Sequence, residues 1–404
     1  MINALRGMKD LTFEESERFV HIVTTAIKIS KKYGYSYIET PILEETKLFK
    51  RSVGESSDIV GKEMYQFEDK GGNDVCMRPE GTAGVVRAFV QAKLDRRQNE
   101  KFKFYYYGAM FRYERPQKGR LREFHQFGCE SFGEASVYED FTIIQMVSDI
   151  FKELGIGYNL QINSLGCSDC MPSYRQNLVN FLTECQDELC EDCNRRIDTN
   201  PIRVLDCKNQ KCQSLLVNSP KLIDNLCDSC DRDFQKLVKL LKSENIEFEI
   251  DTNLVRGLDY YNKTAFEFVS NQIGSQSAIA GGGRYDKLVE FLGGKTTPAI
   301  GFALGIERIM ELVKMPEVVR DGYYIGAMDS QAIDTLFHLA HKKRASDKVT
   351  VEYSPKKLKA HLKGADKVGA RYCAVIGEDE FMDKKIWVKD LVEKKERVIS
   401  WNEF

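Results

Sequence analysis

Between residues 14 and 33 the apolar positions Phe19, Val20, Ile22, Val23, Ala26, Ile27 and Ile29 fall near a helical spacing, with charges elsewhere. That pattern predicts an amphipathic helix, and Gly34 supplies its stop. Tyr35 to Leu43 is an aromatic and β-branched extended run, which Pro41 confines to a sheet edge or a strand end. Phe102–Tyr107 and Phe111–Tyr113 are strand-like, Glu114–Arg120 carries the polar Pro/Gly chemistry of a hairpin loop, and Phe124–Cys129 returns. So short a loop requires antiparallel pairing. Residues 167–245 change character: Cys-rich, charged, and helical in pattern at both ends. Strand patterns resume over 246–270, and Pro298–Ile309 reads as a strand running into a helix. The Cys-rich block is therefore expected to be an insertion within a larger domain. After Val319 helices and strands alternate, with strands at Tyr323–Gly326 and Tyr372–Gly377 and a helix at Ile333–Lys343.

Composition narrows the class. The chain has 404 residues, 42% hydrophobic and 30% charged, as a folded globular protein of two or three domains does. Its 59 Lys+Arg against 61 Asp+Glu give a net charge of −2, so a nucleic-acid partner needs local basic patches. No run of apolar residues is long enough to span a membrane, and the first residues carry no export pattern, so a cytoplasmic location is expected. With 5 histidines and no HExxH, the chemistry is expected to rest on Arg, Glu and Tyr. Of the 12 cysteines, nine lie between Cys167 and Cys230. In a reducing compartment such a cluster points to metal rather than to disulfides.

Two phosphate-loop look-alikes fail. Gly293–Thr297 ends like a P-loop but has Val289 where the loop needs Gly, and Gly281–Arg284 is no GxGxxG. Three consecutive glycines still let a backbone approach a ligand closely. More telling are the five cations from Arg112 to Arg122. On a hairpin they would repel one another unless they meet a polyanion, although a solvated basic loop is the plain alternative. Glu80 and Thr82 in RPEGTA, and Arg256 in VRGLDYY, have surface salt bridging as their plain alternative.

Together these segments identify a family resemblance. Phe111–Arg115 with its loop resembles motif 2 of class II aminoacyl-tRNA synthetases, Gly301–Arg308 resembles motif 3, and the segment through Pro41 resembles the dimer-forming motif 1. Arg256–Tyr261 and Ala280–Asp286 resemble the two signature peptides of the histidyl-tRNA synthetase family, and the resemblance covers essentially the whole chain. It implies an α+β fold: a class II antiparallel sheet flanked by helices over 1–320, an inserted helical subdomain at 167–245, and an α/β anticodon-binding domain over 321–404. It also implies activation of L-histidine with ATP and Mg²⁺, transfer to the 3′ end of tRNA(His), and a homodimer. Arg112, Arg256 and Arg308 would be the catalytic cations, with Arg112, Arg120, Phe124 and Arg308 on ATP. Glu80, Thr82, Gln126, Glu130, Tyr260, Tyr261 and Tyr285 would hold histidine, and Arg115, Gln117 and Arg122 the tRNA acceptor end. The anticodon-reading residues are not legible, although His338, His341, Lys342, Lys343 and Arg344 follow one another closely there. A catalytically inactive regulatory paralogue of histidine biosynthesis is the alternative. It usually lacks the C-terminal domain and loses the arginine set, both of which this chain keeps.

The insertion departs from many relatives. Cys190-x2-Cys193 and Cys227-x2-Cys230 are two knuckle-like pairs that suit one tetrahedral structural Zn²⁺, with Cys207-x4-Cys212 and Cys167-x2-Cys170 nearby. The separation of the pairs leaves the partnering open, and reduced free thiols are the other reading.

Overall fold

The computed structural model describes every residue except 1, 55, 56, 58, 98, 118, 206, 208, 256, 257, 259, 274–277 and 316–318. The chain divides into two units, Met1–Lys314 and Met315–Phe404.

The first unit opens with helix α1 (Phe13–Lys32), whose Glu14 and Glu15 open and Lys31 and Lys32 close it in the sense the helix dipole favours. It buries Ile22, Val23, Ala26 and Ile29 of the predicted apolar positions, with Phe19 and Ile27 partly buried and Val20 exposed, and Gly34 at φ +83 ends it. The extended run after it is split. Strand β1 (Ser36–Tyr37) is the edge of the main sheet, while β2 (Leu43–Glu45) joins β3 (Gln66–Glu68) and β4 (Asp74–Met77) in a separate three-stranded sheet. Pro41 falls between them, where a missing N–H is harmless. Helix α2 (Thr46–Val53) follows β2, and α3 (Thr82–Gln91) follows β4.

The predicted hairpin is β5 (Phe102–Phe111) against β6 (Glu123–Phe132), antiparallel in register from Phe102↔Phe132 to Phe111↔Glu123. Arg112 and Tyr113 belong to its loop, not to β5. Helix α4 (Val137–Glu153) and strand β7 (Asn159–Ser164) lead into the insertion, formed by α5 (Met171–Glu184), α6 (Glu191–Thr199), α7 (Gln210–Leu216) and α8 (Asp228–Ser243). Strands β8 (Glu249–Ile250), β9 (Asn262–Val269) and β10 (Ala278–Arg284), helix α9 (Leu288–Phe291), strand β11 (Ala299–Gly305) and helix α10 (Ile306–Met310) complete the unit. The strand-into-helix reading of 298–309 matches β11 and α10. The eight-stranded sheet runs β1-β5-β6-β11-β10-β9-β7-β8. It is antiparallel except at its two rims, where β1 and β8 pair parallel.

Alternation along the strands gives the sheet two unlike faces. Tyr105, Phe127, Cys129, Phe266, Phe268, Ile300 and Phe302 face a helical layer in which α1, α4, α8 and α10 supply Ile22, Ile144, Leu237 and Ile309. Tyr106 and Phe132 face the other way, against Val85, Val86 and Phe89 of α3 and Leu288 of α9. Helix α8 corrects the insertion boundary. Its Phe234, Leu237 and Leu241, one stripe at helical spacing, belong to the core under the main sheet. The insertion's own core is Tyr174, Leu178, Leu182, Val204, Leu216 and several cysteines.

The second unit is a five-stranded mixed sheet, β13-β12-β14-β15-β16, of β12 (Tyr323–Ala327), β13 (Val349–Glu352), β14 (Tyr372–Ile376), β15 (Lys385–Asp390) and β16 (Glu396–Ser400). Helix α11 (Ile333–Lys343) covers one face through Leu336 and Leu339, and α12 (Leu358–Lys367) covers the other through Ala365. The short α13 (Glu378–Met382) follows β14. His338, His341, Lys342 and Arg344 are exposed at the end of α11, whereas Lys343 lies over the Tyr323 and Phe404 rings. Among the described residues no helix is long and apolar enough to cross a membrane.

Candidate active site

A cavity of about 240 Å³ opens on the α3 face of the large sheet. Its chemistry follows from strand alternation: Phe124 and Gln126 of β6 line it, and Glu130, two positions beyond Gly128, lies on the same face but deeper.

Glu130 is fully buried. Its Oε1 accepts the Thr82 hydroxyl at 2.8 Å and the Tyr106 hydroxyl at 3.2 Å, and its Oε2 accepts the Tyr285 hydroxyl. Burial pushes its pKa up to about 8, against the lowering effect of those hydrogen bonds. A carboxylate has about four acceptor positions, and three are used here. Two glycines make the space. A Cβ on Gly301, directly across from Glu130 in the β6–β11 ladder, would lie 1.7 Å from Glu130 Oε2. A Cβ on Gly128, which pairs with Tyr106, would strike that ring at 2.4 Å.

Glu80 is buried beside this group, and its carboxylate accepts the backbone N–H groups of Thr82 and Ala83 at 2.7 and 2.9 Å. It therefore caps α3 and fixes Thr82, while burial raises its pKa. Tyr260 and Tyr261 line the cavity, with the Tyr260 ring edge-on to Tyr285 at 5.7 Å. Gln126 Oε1 is buried there without a protein hydrogen-bond partner.

Cations occupy the opposite part of the wall. Arg112 donates from Nε to the Pro79 carbonyl at 2.9 Å and stands over the Phe124 ring at 5.2 Å. Arg308 donates to the carbonyls of Gly119 and Ala278 at 3.1 and 2.6 Å. Burial, and then the nearby charges of Arg120 and Arg112, lower its pKa from the ordinary value. Arg120 pairs with Glu114 at 2.7 Å. Glu114 and Glu267 in the same wall partly offset these three cations, and guanidinium groups so gathered suit the oxygens of a bound phosphate chain.

The structure thus brings together Glu80, Thr82, Gln126, Tyr260, Tyr261, Arg112, Arg120, Phe124 and Arg308 around one cavity, with Glu130 and Tyr285 buried behind its wall. Arg256 lies outside the described residues. Arg115 and Gln117 are exposed on the hairpin loop, which Gln117 closes by pairing with Arg120. Arg122 is placed differently from Arg115 and Gln117. Its guanidinium stacks on Tyr113 at 3.9 Å and its Nε donates to the Glu114 carbonyl, so it stiffens the loop base.

Four participants escaped the sequence reading. Tyr106 holds Glu130, Glu114 and Glu267 line the cavity, and Glu307 accepts the His125 backbone N–H and pairs with its Nδ1 at 2.8 Å. The one sequence signal for Tyr106 was a glycine at the register position across the hairpin.

The cysteine partnering also needs correction. Cys190 and Cys193 do not share a cluster with Cys227 and Cys230. The first pair gathers with Cys207 and Cys212, and the second with Cys167 and Cys170. The longer-range partners are set by how the insertion's helices pack, which spacing along the chain does not encode.

A largely antiparallel sheet whose β5–β6 hairpin and β11–α10 turn bring arginines to such a cavity is the catalytic fold of a class II aminoacyl-tRNA synthetase. A family model described as histidyl-tRNA synthetase matches residues 7–178 and 204–309, and one described as an anticodon binding domain matches 324–404. The chain is 74% identical over 403 residues to the histidine--tRNA ligase of Sulfurovum sp., covering 100% of both chains, and 67% identical to that of Sulfurimonas denitrificans, covering 99% of both. The crystal structure of apo S. aureus histidyl-tRNA synthetase superposes with a TM-score of 0.82 at 33% identity, covering 100% of this chain and 98% of that one. The chain belongs to the histidyl-tRNA synthetase family.

Proposed function

We propose that this cavity is where L-histidine and ATP meet, and that the chain makes histidyl-adenylate and transfers the histidyl group to the 3′ end of tRNA(His). The observation that carries the reading is a buried carboxylate, held among the described residues by three hydroxyls, directly behind the wall of a cavity that three arginines line.

In the first step the histidine carboxylate attacks the α-phosphorus and pyrophosphate leaves in line. Negative charge gathers on the phosphoryl oxygens, and fixed cations lower its energy. Arg112 is assigned to the α-phosphate, Arg308 and Arg120 to the outer phosphates, and Phe124 to the adenine ring. Arg256 is assigned to the far side of the α-phosphate by the family resemblance alone. Mg²⁺, when bound with the nucleotide, neutralises phosphate charge. Glu114 and Glu267, carboxylates in the cavity wall, are the oxygen donors that suit it. In the second step a ribose hydroxyl of the terminal nucleotide attacks the acyl carbon, and AMP leaves.

Histidine selection falls to Glu130. Its remaining acceptor position faces an imidazole N–H, with Tyr261 and Tyr285 around the ring and Thr82, Glu80, Gln126 and Tyr260 toward the amino and carboxylate groups. A side chain lacking that N–H would leave a buried carboxyl short of a partner, the strongest form of rejection a site offers. Arg115 and Gln117, exposed on the hairpin loop, suit the acceptor end, and the second unit suits the anticodon. Tyr37 and Ile42, exposed at and beyond the β1 edge, suit the homodimer contact expected of motif 1, and the reading places the enzyme in the cytoplasm.

Amino-acid-dependent ATP–pyrophosphate exchange tests this reading. Exchange with histidine alone among the twenty amino acids is the expected result. No exchange from folded protein with Mg²⁺ would return weight to the regulatory paralogue. A Bacillus halodurans protein described as an ATP phosphoribosyltransferase regulatory subunit/histidyl-tRNA synthetase shares the fold, with a TM-score of 0.67 at 21% identity.

A further inference from the structure

We propose that the insertion holds two structural zinc ions, one bound by Cys167, Cys170, Cys227 and Cys230 and the other by Cys190, Cys193, Cys207 and Cys212. All twelve cysteines are free thiols, and within each of these two groups the four sulfurs lie within 4.8 Å of one another. Tetrahedral zinc with Zn–S bonds of ~2.3 Å separates its sulfurs by about 3.8 Å. The separations Cys167–Cys170, Cys167–Cys227 and Cys190–Cys207 are each 3.8 Å. The sulfurs of a polynuclear iron–sulfur cluster would stand farther apart, around several iron atoms.

The two groups are built alike, which chance packing of thiols would not produce. Cys190 and Cys227 each precede a helix, α6 and α8, with the same backbone angles of φ −71 and ψ 160. Their partners Cys193 and Cys230 lie in the first turn of those helices, one turn from the cysteine that precedes each. The Cys227 N–H donates to Cys170 Sγ at 3.2 Å, and the Cys190 N–H donates to Cys212 Sγ at 3.3 Å. Further N–H donors reach Cys167 Sγ from Asp169 and Cys207 Sγ from Asn209. Backbone donors aimed at sulfur are what a set of four thiolates around one dication requires.

The sites are nested, and their positions give them different work. The base site joins the two places where the chain enters and leaves the insertion. Cys167 lies just past β7, where Gly166 is tied to the sheet by the Lys263 N–H at 2.7 Å, and Cys227 opens α8, which packs in the main core. The outer site lies wholly inside the excursion. The insertion's core is small and is made largely of leucines and these cysteines, too little to hold so short a fold alone. The family match also skips residues 179–203, the stretch that contains Cys190 and Cys193.

Elemental analysis of untagged full-length protein, purified without chelator, is the test. The expected content is two zinc ions per chain, both released to a chromogenic chelator as an organomercurial titrates the thiols. The double variant Cys190→Ser/Cys193→Ser should retain one zinc and become sensitive to proteolysis inside 185–220, with the rest of the first unit intact. One zinc or fewer per wild-type chain overturns the proposal, as does iron with visible absorption in place of zinc. Because the wild-type count and the mercurial release use the native protein, a variant that fails to fold does not blunt the test.

Discussion

Two buried carboxylates lie close in sequence and have opposite fates. Asp140, in the first turn of α4, meets Arg284, which is itself almost wholly buried. Arg284 Nε lies 2.8 and 2.9 Å from the two Asp140 oxygens, and its remaining donors reach the carbonyls of Glu134 and Ser136 at 2.9 Å and Asp286 at 3.4 Å. Glu130, on the strand that precedes α4, has three hydroxyl groups and, among the described residues, no cation bonded to it. Burial raises both pKa values, to about 6 for Asp140, where Arg284 opposes the rise, and to about 8 for Glu130. A carboxylate given a guanidinium is finished within the fold. One given only neutral donors is left with electrostatic demand that a ligand can meet. Arg284 and Tyr285 are consecutive in the same signature peptide, yet one serves the fold and the other the site, because neighbouring residues at a strand end point to opposite sides.

The largest expected effect tests the first half of that contrast. Arg284→Met leaves Asp140 buried without its partner and should cost about 3–5 kcal/mol of stability in guanidinium unfolding, with much of it regained in Arg284→Met/Asp140→Leu. A loss below about 1 kcal/mol would show the pair to be replaceable. Next, Glu130→Ala should lower kcat/KM for histidine in exchange assays by about 100-fold, the worth of a hydrogen bond to a charged group, with ATP affinity within about threefold. Equal loss for both substrates would remove Glu130 from amino-acid selection.

The third prediction concerns pH. Since folding raises the Glu130 pKa, the stability it contributes is present below the ordinary carboxylate range and is lost as pH rises toward about 8. Wild type should therefore lose stability relative to Glu130→Gln between about pH 5 and pH 8. A constant difference over that range would mean the carboxyl does not titrate there. Calorimetry of histidine binding at pH 7.5 in buffers of different ionisation enthalpy should then show proton release by wild type that Glu130→Gln lacks. The smallest effect is that of Tyr106→Phe, which removes the longest of the three hydrogen bonds and should raise the histidine KM only a few-fold, about 1 kcal/mol.

The hairpin, its loop and the motif 3 strand-to-helix turn were legible because each is written in local chemistry: strand formers, a Pro/Gly loop, and a glycine-rich strand ahead of an apolar helix. The arginines and Glu130 were legible only through resemblance, since a lone Arg or Glu has no local signature of burial. Tyr106 was hidden in the run Phe104–Tyr107, where the residue facing the site is decided by register against β6. Cysteine partnering and the membership of α8 in the main core were closed to sequence for a related reason. Both depend on which helix packs against which, and that is settled by tertiary contact rather than spacing.

Gly301 carries a consequence for how such a site changes over generations. Its missing side chain is the room that Glu130 occupies, so any larger residue at 301 collides with the carboxylate as long as Glu130 is there. Shortening Glu130 relieves only part of the conflict, because a Cβ at 301 would also lie 2.7 Å from the Cys129 backbone carbonyl oxygen. Position 301 is therefore tied to glycine twice, once by the side chain across the ladder and once by the neighbouring strand's own backbone. A change of preference at this place in the sheet would thus have to be written at 130 and its hydroxyl partners, with the glycine opposite left as it is.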